Sequence, residues 1–271
     1  MSELSPVYFG GAIASTLLYG VALGQACRYY QAFPKDGLGL KTVVATCILL
    51  ETLTQFMLTH ALWFFFILKC EGLPLPLCTV WSYMFSNVPS GLVVAIVQCF
   101  YIQSLWCLGQ KIFACILAVG SIFEFMVGIV YLIVAYTNPS LDVAKGSALV
   151  HEVLVYAAIA ASILTDAGIT IMMCRALLQG RQDSLGKSRS VITVIITWTL
   201  ATGVLFTLSA LVYTIIVITL PTSSIPNGFY FAAAKLYVNS MLASLNNREN
   251  LRDKLYSDGV SVYWKSGERP P

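Results

Sequence analysis

Seven apolar runs, each long enough to cross a lipid bilayer, follow one another along this chain and dictate what it can fold into. They cover about Val7–Cys27, Thr42–Leu68, Trp81–Leu105, Ile112–Thr137, Leu149–Cys174, Val191–Leu220 and Phe229–Leu245. A helix rises ~1.5 Å per residue, so a hydrocarbon core about 30 Å thick needs roughly 20 apolar residues. Only helices and closed barrels satisfy their backbone hydrogen bonds inside lipid, and runs of this length are helical in kind. Composition agrees, with 58% hydrophobic and 11% charged residues in 271. A soluble domain carries about 25% charged residues and could not hide this much apolar surface. The expected fold is an all-α bundle of seven transmembrane helices over residues 1–245, with a cytoplasmic tail over 246–271.

The connections are short and punctuated by turn formers, with Pro34, Asp36 and two glycines in Gln31–Lys41, and Gly72, Pro74 and Pro76 in Lys69–Val80. The residues before the first run carry Glu3 and no lysine or arginine, so it reads as a span rather than a cleavable signal. Orientation follows from lysine and arginine. With the amino terminus outside, thirteen basic residues fall on the inner segments: Arg28, Lys35, Lys41, Lys111, Arg175, Arg181, Lys187, Arg189, Arg248, Arg252, Lys254, Lys265 and Arg269. Only Lys69 and Lys145 fall outside, and Lys235 lies within the seventh run. The amino terminus is therefore expected on the outer or lumenal side and the carboxyl terminus in the cytoplasm of a membrane the sequence does not specify. No basic run or nucleic-acid motif occurs, so the bilayer itself is the expected partner and nucleic acid is not.

Several stretches together resemble a known family: LLYGVALGQACRYY at 17–30, LETLTQFMLTHALW at 50–63, VQCFY at 97–101, LTDAGITI at 164–171 and KLYVNSMLASLN at 235–246. The combination is similar to a large family of fungal seven-helix membrane proteins that forms a domain of unknown function. The seventh-helix stretch is its most distinctive part. The resemblance implies the seven-helix fold from the first span to the last and supplies no activity. The family often continues with an arginine after the VQCFY stretch, where this chain carries Gln103 and Ser104.

Within spans the ionisable residues are informative, because each is costly in lipid and usually faces the bundle interior. Counted from the inner helix ends, Glu51 and Asp166 lie ~13 Å deep, Lys235 ~15 Å and Glu124 ~18 Å. These residues share one layer near mid-membrane, contributed by four helices. Gln98, the amide of the VQCFY stretch, joins them as a candidate ligand contact. Three carboxyls face one ammonium, so either a carboxyl is protonated or the surplus charge awaits a cationic ligand or an ion. Lys235 should meet a carboxylate, Asp166 first by depth, then Glu51, then Glu124. Such a pair can serve only to hold helices together, or it can be part of a ligand site.

Enzymatic readings find little support. His60 and His151 are the two histidines, too few for a zinc hydrolase of this architecture, and no Cys cluster or G-x-S-x-G serine context occurs. A lysine in the seventh helix resembles the retinal-binding arrangement, yet its surroundings do not look like an opsin, and no cofactor is expected. His60 reads as an interhelical hydrogen-bond partner. Gly20 and Gly24 form a G-x-x-x-G expected to pack inside the bundle, and Pro89 is expected to kink the third span. Residues 246–256 alternate basic and apolar positions, as a short interfacial helix would. Cys70 and Cys78, in or beside an outer loop, are candidates for a disulfide. The reading that results is a non-enzymatic, receptor- or sensor-like bundle with a mid-membrane polar site, with a small-solute or ion transporter as its rival.

Overall fold

The computed structural model describes residues 4–67, 81–137, 145–182, 207–219 and 225–255, and every described element is a helix. These are α1 (Leu4–Ala32), α2 (Leu38–Ile67), α3 (Trp81–Phe85), α4 (Asn87–Cys107), α5 (Lys111–Thr137), α6 (Lys145–Gln182), α7 (Thr207–Thr219) and α8 (Ile225–Leu255). Five stretches are long and apolar enough to cross a membrane: Phe9–Ala32, Leu38–Phe64, Trp81–Cys107, Lys111–Val134 and Val153–Ala176. They mark the chain as a membrane-associated, all-helical protein. α7 is apolar but shorter. α8 is long enough, but its second half is rich in polar residues.

The third expected span is one crossing made of two helices. The break falls at Ser86, which separates α3 from α4, and Pro89 sits in the first turn of α4. Proline is tolerated there but has no N–H to return to the preceding turn. Side chains take up carbonyls around the break: Ser86 Oγ donates to Tyr83 O at 2.7 Å, Asn87 Nδ2 to Met84 O at 3.0 Å and Ser90 Oγ to Ser86 O at 2.9 Å. His60 Nδ1 lies 2.9 Å from Ser82 Oγ, so this histidine does tie two helices together.

α4 turns into α5 within three residues. Gln110 N donates to Leu105 O at 3.2 Å and Gly109 N to Trp106 O at 3.1 Å, closing a helix C-terminus around Gly109 at φ 88°. That left-handed conformation suits glycine, which has no Cβ to crowd the carbonyl.

Hydrogen-bond registers give the helix directions. α1 and α2 run antiparallel, since Thr16 pairs with Gln55, Tyr19 with Thr52 and Tyr30 with the carbonyl of Lys41. α5 and α6 are also antiparallel: a Cβ on Gly120 would lie 3.0 Å from Thr165 Oγ1, and one on Gly168 would lie 2.6 Å from Leu117 Cδ2. α1 and α8 run parallel. Asn239 Nδ2 donates to Leu18 O at 3.0 Å, and Asn246 Nδ2 to Gln25 O at 2.8 Å, both at a separation of 221 residues. The first and last helices therefore traverse the bundle in the same direction.

The core beneath these contacts joins Ala22, Ala26 and Tyr29 of α1, Val44 and Cys47 of α2, Val93 and Val97 of α4, and Val238, Met241 and Leu242 of α8. Small alanines on α1 let α8 approach closely enough for its Asn side chains to reach main-chain carbonyls. The G-x-x-x-G pair does not do this. Gly20 and Gly24 are exposed, and a Cβ on either would meet nothing within 4 Å. The expectation of intramolecular packing there is corrected. Ala22 and Ala26, two residues from each glycine and so near the opposite side of the helix, form the contact. The close-packing glycines are Gly120 and Gly168.

At its far end α8 does not stop for a separate interfacial helix. It continues unbroken to Leu255, with Asn246 and Asn247 buried. Cys70 and Cys78 lie outside the described residues.

Candidate functional site

The residues expected to share one layer resolve into two clusters that meet opposite sides of α8. In the first, Lys235 of α8 pairs with Glu51 of α2, and their side chains are 2% and 1% exposed. Lys235 Nζ donates to Glu51 Oε2 and lies 3.3 Å from the main-chain oxygen of the same residue. The Tyr19 ring of α1 stands over the ammonium with its centroid 5.7 Å away, adding the negative face of an aromatic ring. Burial this complete makes each charge depend on the other, because neither faces bulk solvent that could replace a lost partner.

The second cluster is built around Gln98 of α4. Its Nε2 donates to Glu124 Oε2 of α5 at 2.9 Å and to Asp166 Oδ1 of α6 at 3.2 Å. Its Oε1 accepts from Ser121 Oγ of α5 at 2.6 Å. Tyr237 of α8 donates its hydroxyl to Asp166 Oδ2, and the Ser162 side chain lies beside both carboxyl groups. Gln98 is 1% exposed and Asp166 3%, while Glu124 is partly buried. One primary amide thus spends both N–H groups on two carboxyl groups, and its oxygen is held by a serine. Neither Glu124 nor Asp166 has a basic partner among the described residues.

Depth therefore located the layer but ranked the partners wrongly. Asp166, the first choice for Lys235, is taken by Tyr237 and Gln98, and the second choice, Glu51, makes the ion pair. The reason lies in helix geometry. Lys235 and Tyr237 are two residues apart, about 200° around the axis, so they point to opposite sides of α8. One side meets α1 and α2, and the other meets α4 and α6. Tyr237, Ser121 and Ser162 were not singled out from the sequence. The available signal was a tyrosine two positions from a buried lysine, and serines on the carboxylate-bearing helices at spacings of three and four residues.

Among the described residues no group of three His, Cys, Asp or Glu side chains gathers to hold a metal ion. Two carboxyl oxygens aimed at one nitrogen suit an amine-type cation instead, since the N–H donors of an ammonium would make the same contacts with a favourable charge.

An all-helical, membrane-associated chain with a polar interior is what fold and site define. Residues 162–250 match the model of a family of unknown function (DUF6534). The match takes in Asp166, Lys235, Tyr237 and both asparagines of the α1–α8 register, and leaves α1 to α5 outside it. It fits the resemblance to an uncharacterised family. No curated protein and no solved structure matches the chain.

Proposed function

We propose that this chain is a receptor- or sensor-like membrane protein of seven spans, amino terminus outside and carboxyl terminus cytoplasmic, without enzymatic activity. Its responsive element is the Gln98–Glu124–Asp166 cluster. Parallel α1 and α8 support an odd number of crossings, and the inner bias of lysine and arginine supports the orientation.

One observation carries the functional reading. Lys235 is committed to Glu51, so two further carboxyl groups converge on a neutral amide with no basic partner among the described residues. The amide nitrogen stands where a cationic nitrogen would sit. A small organic cation displacing it would draw α4, α5 and α6 onto itself and release Gln98 to turn its oxygen toward the ligand. Tyr237 couples the cluster to α8, whose other face carries the Lys235–Glu51 pair. Binding at one side of α8 would thereby load the helix that continues past the span toward the inner face. On this reading Lys235 and Glu51 hold the bundle together, and Gln98, Glu124 and Asp166 contact the ligand.

The test uses the purified full chain in lipid nanodiscs, with thermal unfolding followed against methylammonium, tetramethylammonium, sodium and potassium. A cation bound only by the folded state adds about 2.7 kcal/mol at a hundredfold excess over Kd. An upward shift with an organic cation, abolished in Glu124→Gln and in Asp166→Asn but kept in Glu51→Gln/Lys235→Met, supports the site. Equal behaviour of all variants toward every cation refutes it.

A further inference from the structure

Along α1, polar groups behave differently on the two sides of the level of the Lys235–Glu51 pair. Toward its amino-terminal end their partners lie on α2 and they satisfy one another. Ser15 Oγ donates to Gln55 Oε1 at 3.3 Å, Gln55 Nε2 to Thr16 Oγ1 at 2.8 Å, and Tyr19 and Thr52 share a hydrogen bond of 2.8 Å. Toward the other end, the base of the bundle where α1 turns into α2, they do not. Asn239 Oδ1, Asn246 Oδ1 and Gln25 Oε1 are each buried and find no donor among the described residues.

Amide misassignment does not account for this. Asn239 Nδ2 spends its two N–H groups on Leu18 O at 3.0 Å and Lys235 O at 2.9 Å, so the remaining atom must be the oxygen. Asn246 is fixed in the same sense by its bond to Gln25 O. A buried acceptor left without a donor costs about 1–3 kcal/mol, and three in one seam of a native bundle call for a common partner. Lys235, Asn239 and Asn246 lie at intervals of four and seven residues, on one face of α8. They step from the ion pair toward the base by ~6 Å and then ~10 Å. Water hydrogen bonds are ~2.8 Å long, so about one molecule bridges the first step and about three the second.

We infer that the α1–α8 seam below Lys235 binds a file of ordered water on Asn239, Asn246 and Gln25, which connects the buried Lys235–Glu51 pair to the base of the bundle and to that face alone. Water is the class of ligand these atoms select: each is a neutral amide oxygen able to accept two hydrogen bonds, and each is enclosed by apolar neighbours such as Val238, Leu242 and Ala22. The file gives the ion pair a route for proton exchange with one aqueous phase. The inference does not depend on ligand binding at Gln98, Glu124 and Asp166.

The experiment is water-edited solid-state NMR on the isotope-labelled full chain in lipid nanodiscs, where both faces are wet. The side-chain amides of Gln25, Asn239 and Asn246 are expected to receive magnetisation from water severalfold faster than the methyl groups of Val238 and Leu242. Ser15 and Gln55 are expected to be as slow as those methyls. Transfer to the asparagines no faster than to Val238 overturns the inference, and fast transfer to Ser15 and Gln55 overturns its one-sidedness. In Asn246→Leu, which plugs the file near the base, Asn239 should lose most of its water transfer. An unchanged Asn239 in a folded Asn246→Leu protein refutes the route, and if that variant does not fold the comparison within the unmodified chain decides.

Discussion

Lys235→Met removes the ammonium while keeping an unbranched side chain of similar length, and it leaves Glu51 alone in a site where the pair is 2% and 1% exposed. Losing one member of a buried ion pair costs about 3–5 kcal/mol in soluble proteins. Replacing both members by neutral groups of like size is often close to neutral. Lys235→Met and Glu51→Gln are therefore each expected to cost ~3 kcal/mol, and the double variant no more than either alone, a coupling of at least ~3 kcal/mol. That exceeds the ~0.6 kcal/mol average found for interhelical hydrogen bonds in membranes, because two charges are involved and Nζ also reaches the Glu51 carbonyl at 3.3 Å. The control is Lys235→Met/Asp166→Asn, which should be additive within ~0.5 kcal/mol because these residues share no hydrogen-bond partner. The assay is equilibrium unfolding in mixed detergent micelles as the fraction of denaturing detergent rises. Additive losses for Lys235 with Glu51, or strong coupling of Lys235 with Asp166, would refute the division of the layer into two clusters.

Tyr237→Phe strips Asp166 Oδ2 of its donor and should lower stability by about 1–3 kcal/mol in the same assay, whereas Tyr19→Phe, which retains the ring over Lys235, should cost far less. Gly168→Ala places a Cβ 2.6 Å from Leu117 Cδ2 and is expected to cost about 1–3 kcal/mol, relieved by Leu117→Ala. Gly20→Ala and Gly24→Ala meet open space and should change the monomer's stability by less than ~0.5 kcal/mol, measured by thermal melting. For topology, a glycosylation acceptor inserted within residues 140–145 should be modified and one within 183–188 should not. The reverse pattern contradicts the proposed orientation. Alkylation of Cys70 and Cys78 before and after reduction, read by mass, should show two thiols appearing only on reduction if the outer-loop disulfide forms.

Hydrophobicity over a run of residues is a one-dimensional property, and here it was enough to locate the helices. The bilayer needs a fixed length of apolar helix, so the runs beginning near Val7, Thr42, Trp81, Ile112 and Leu149 each coincide with a long described helix. Axial depth is also one-dimensional, since rise per residue is constant. Glu51, Glu124, Asp166 and Lys235 could thus be assigned to one layer before any packing was known. Partner choice needs the angle around each axis and the neighbours on each side, and neither is written in a single chain position. Lys235 turns to Glu51, and Tyr237, 200° away, turns to Asp166, because the two positions face α2 and α6 from opposite sides of α8. The same limit explains the glycines. A G-x-x-x-G spacing shows that Gly20 and Gly24 share a face of α1, but only the assembled bundle decides that this face looks outward while Ala22 and Ala26 look in. Helix length and depth come from local chemistry, and azimuth comes from the simultaneous packing of every helix against the others.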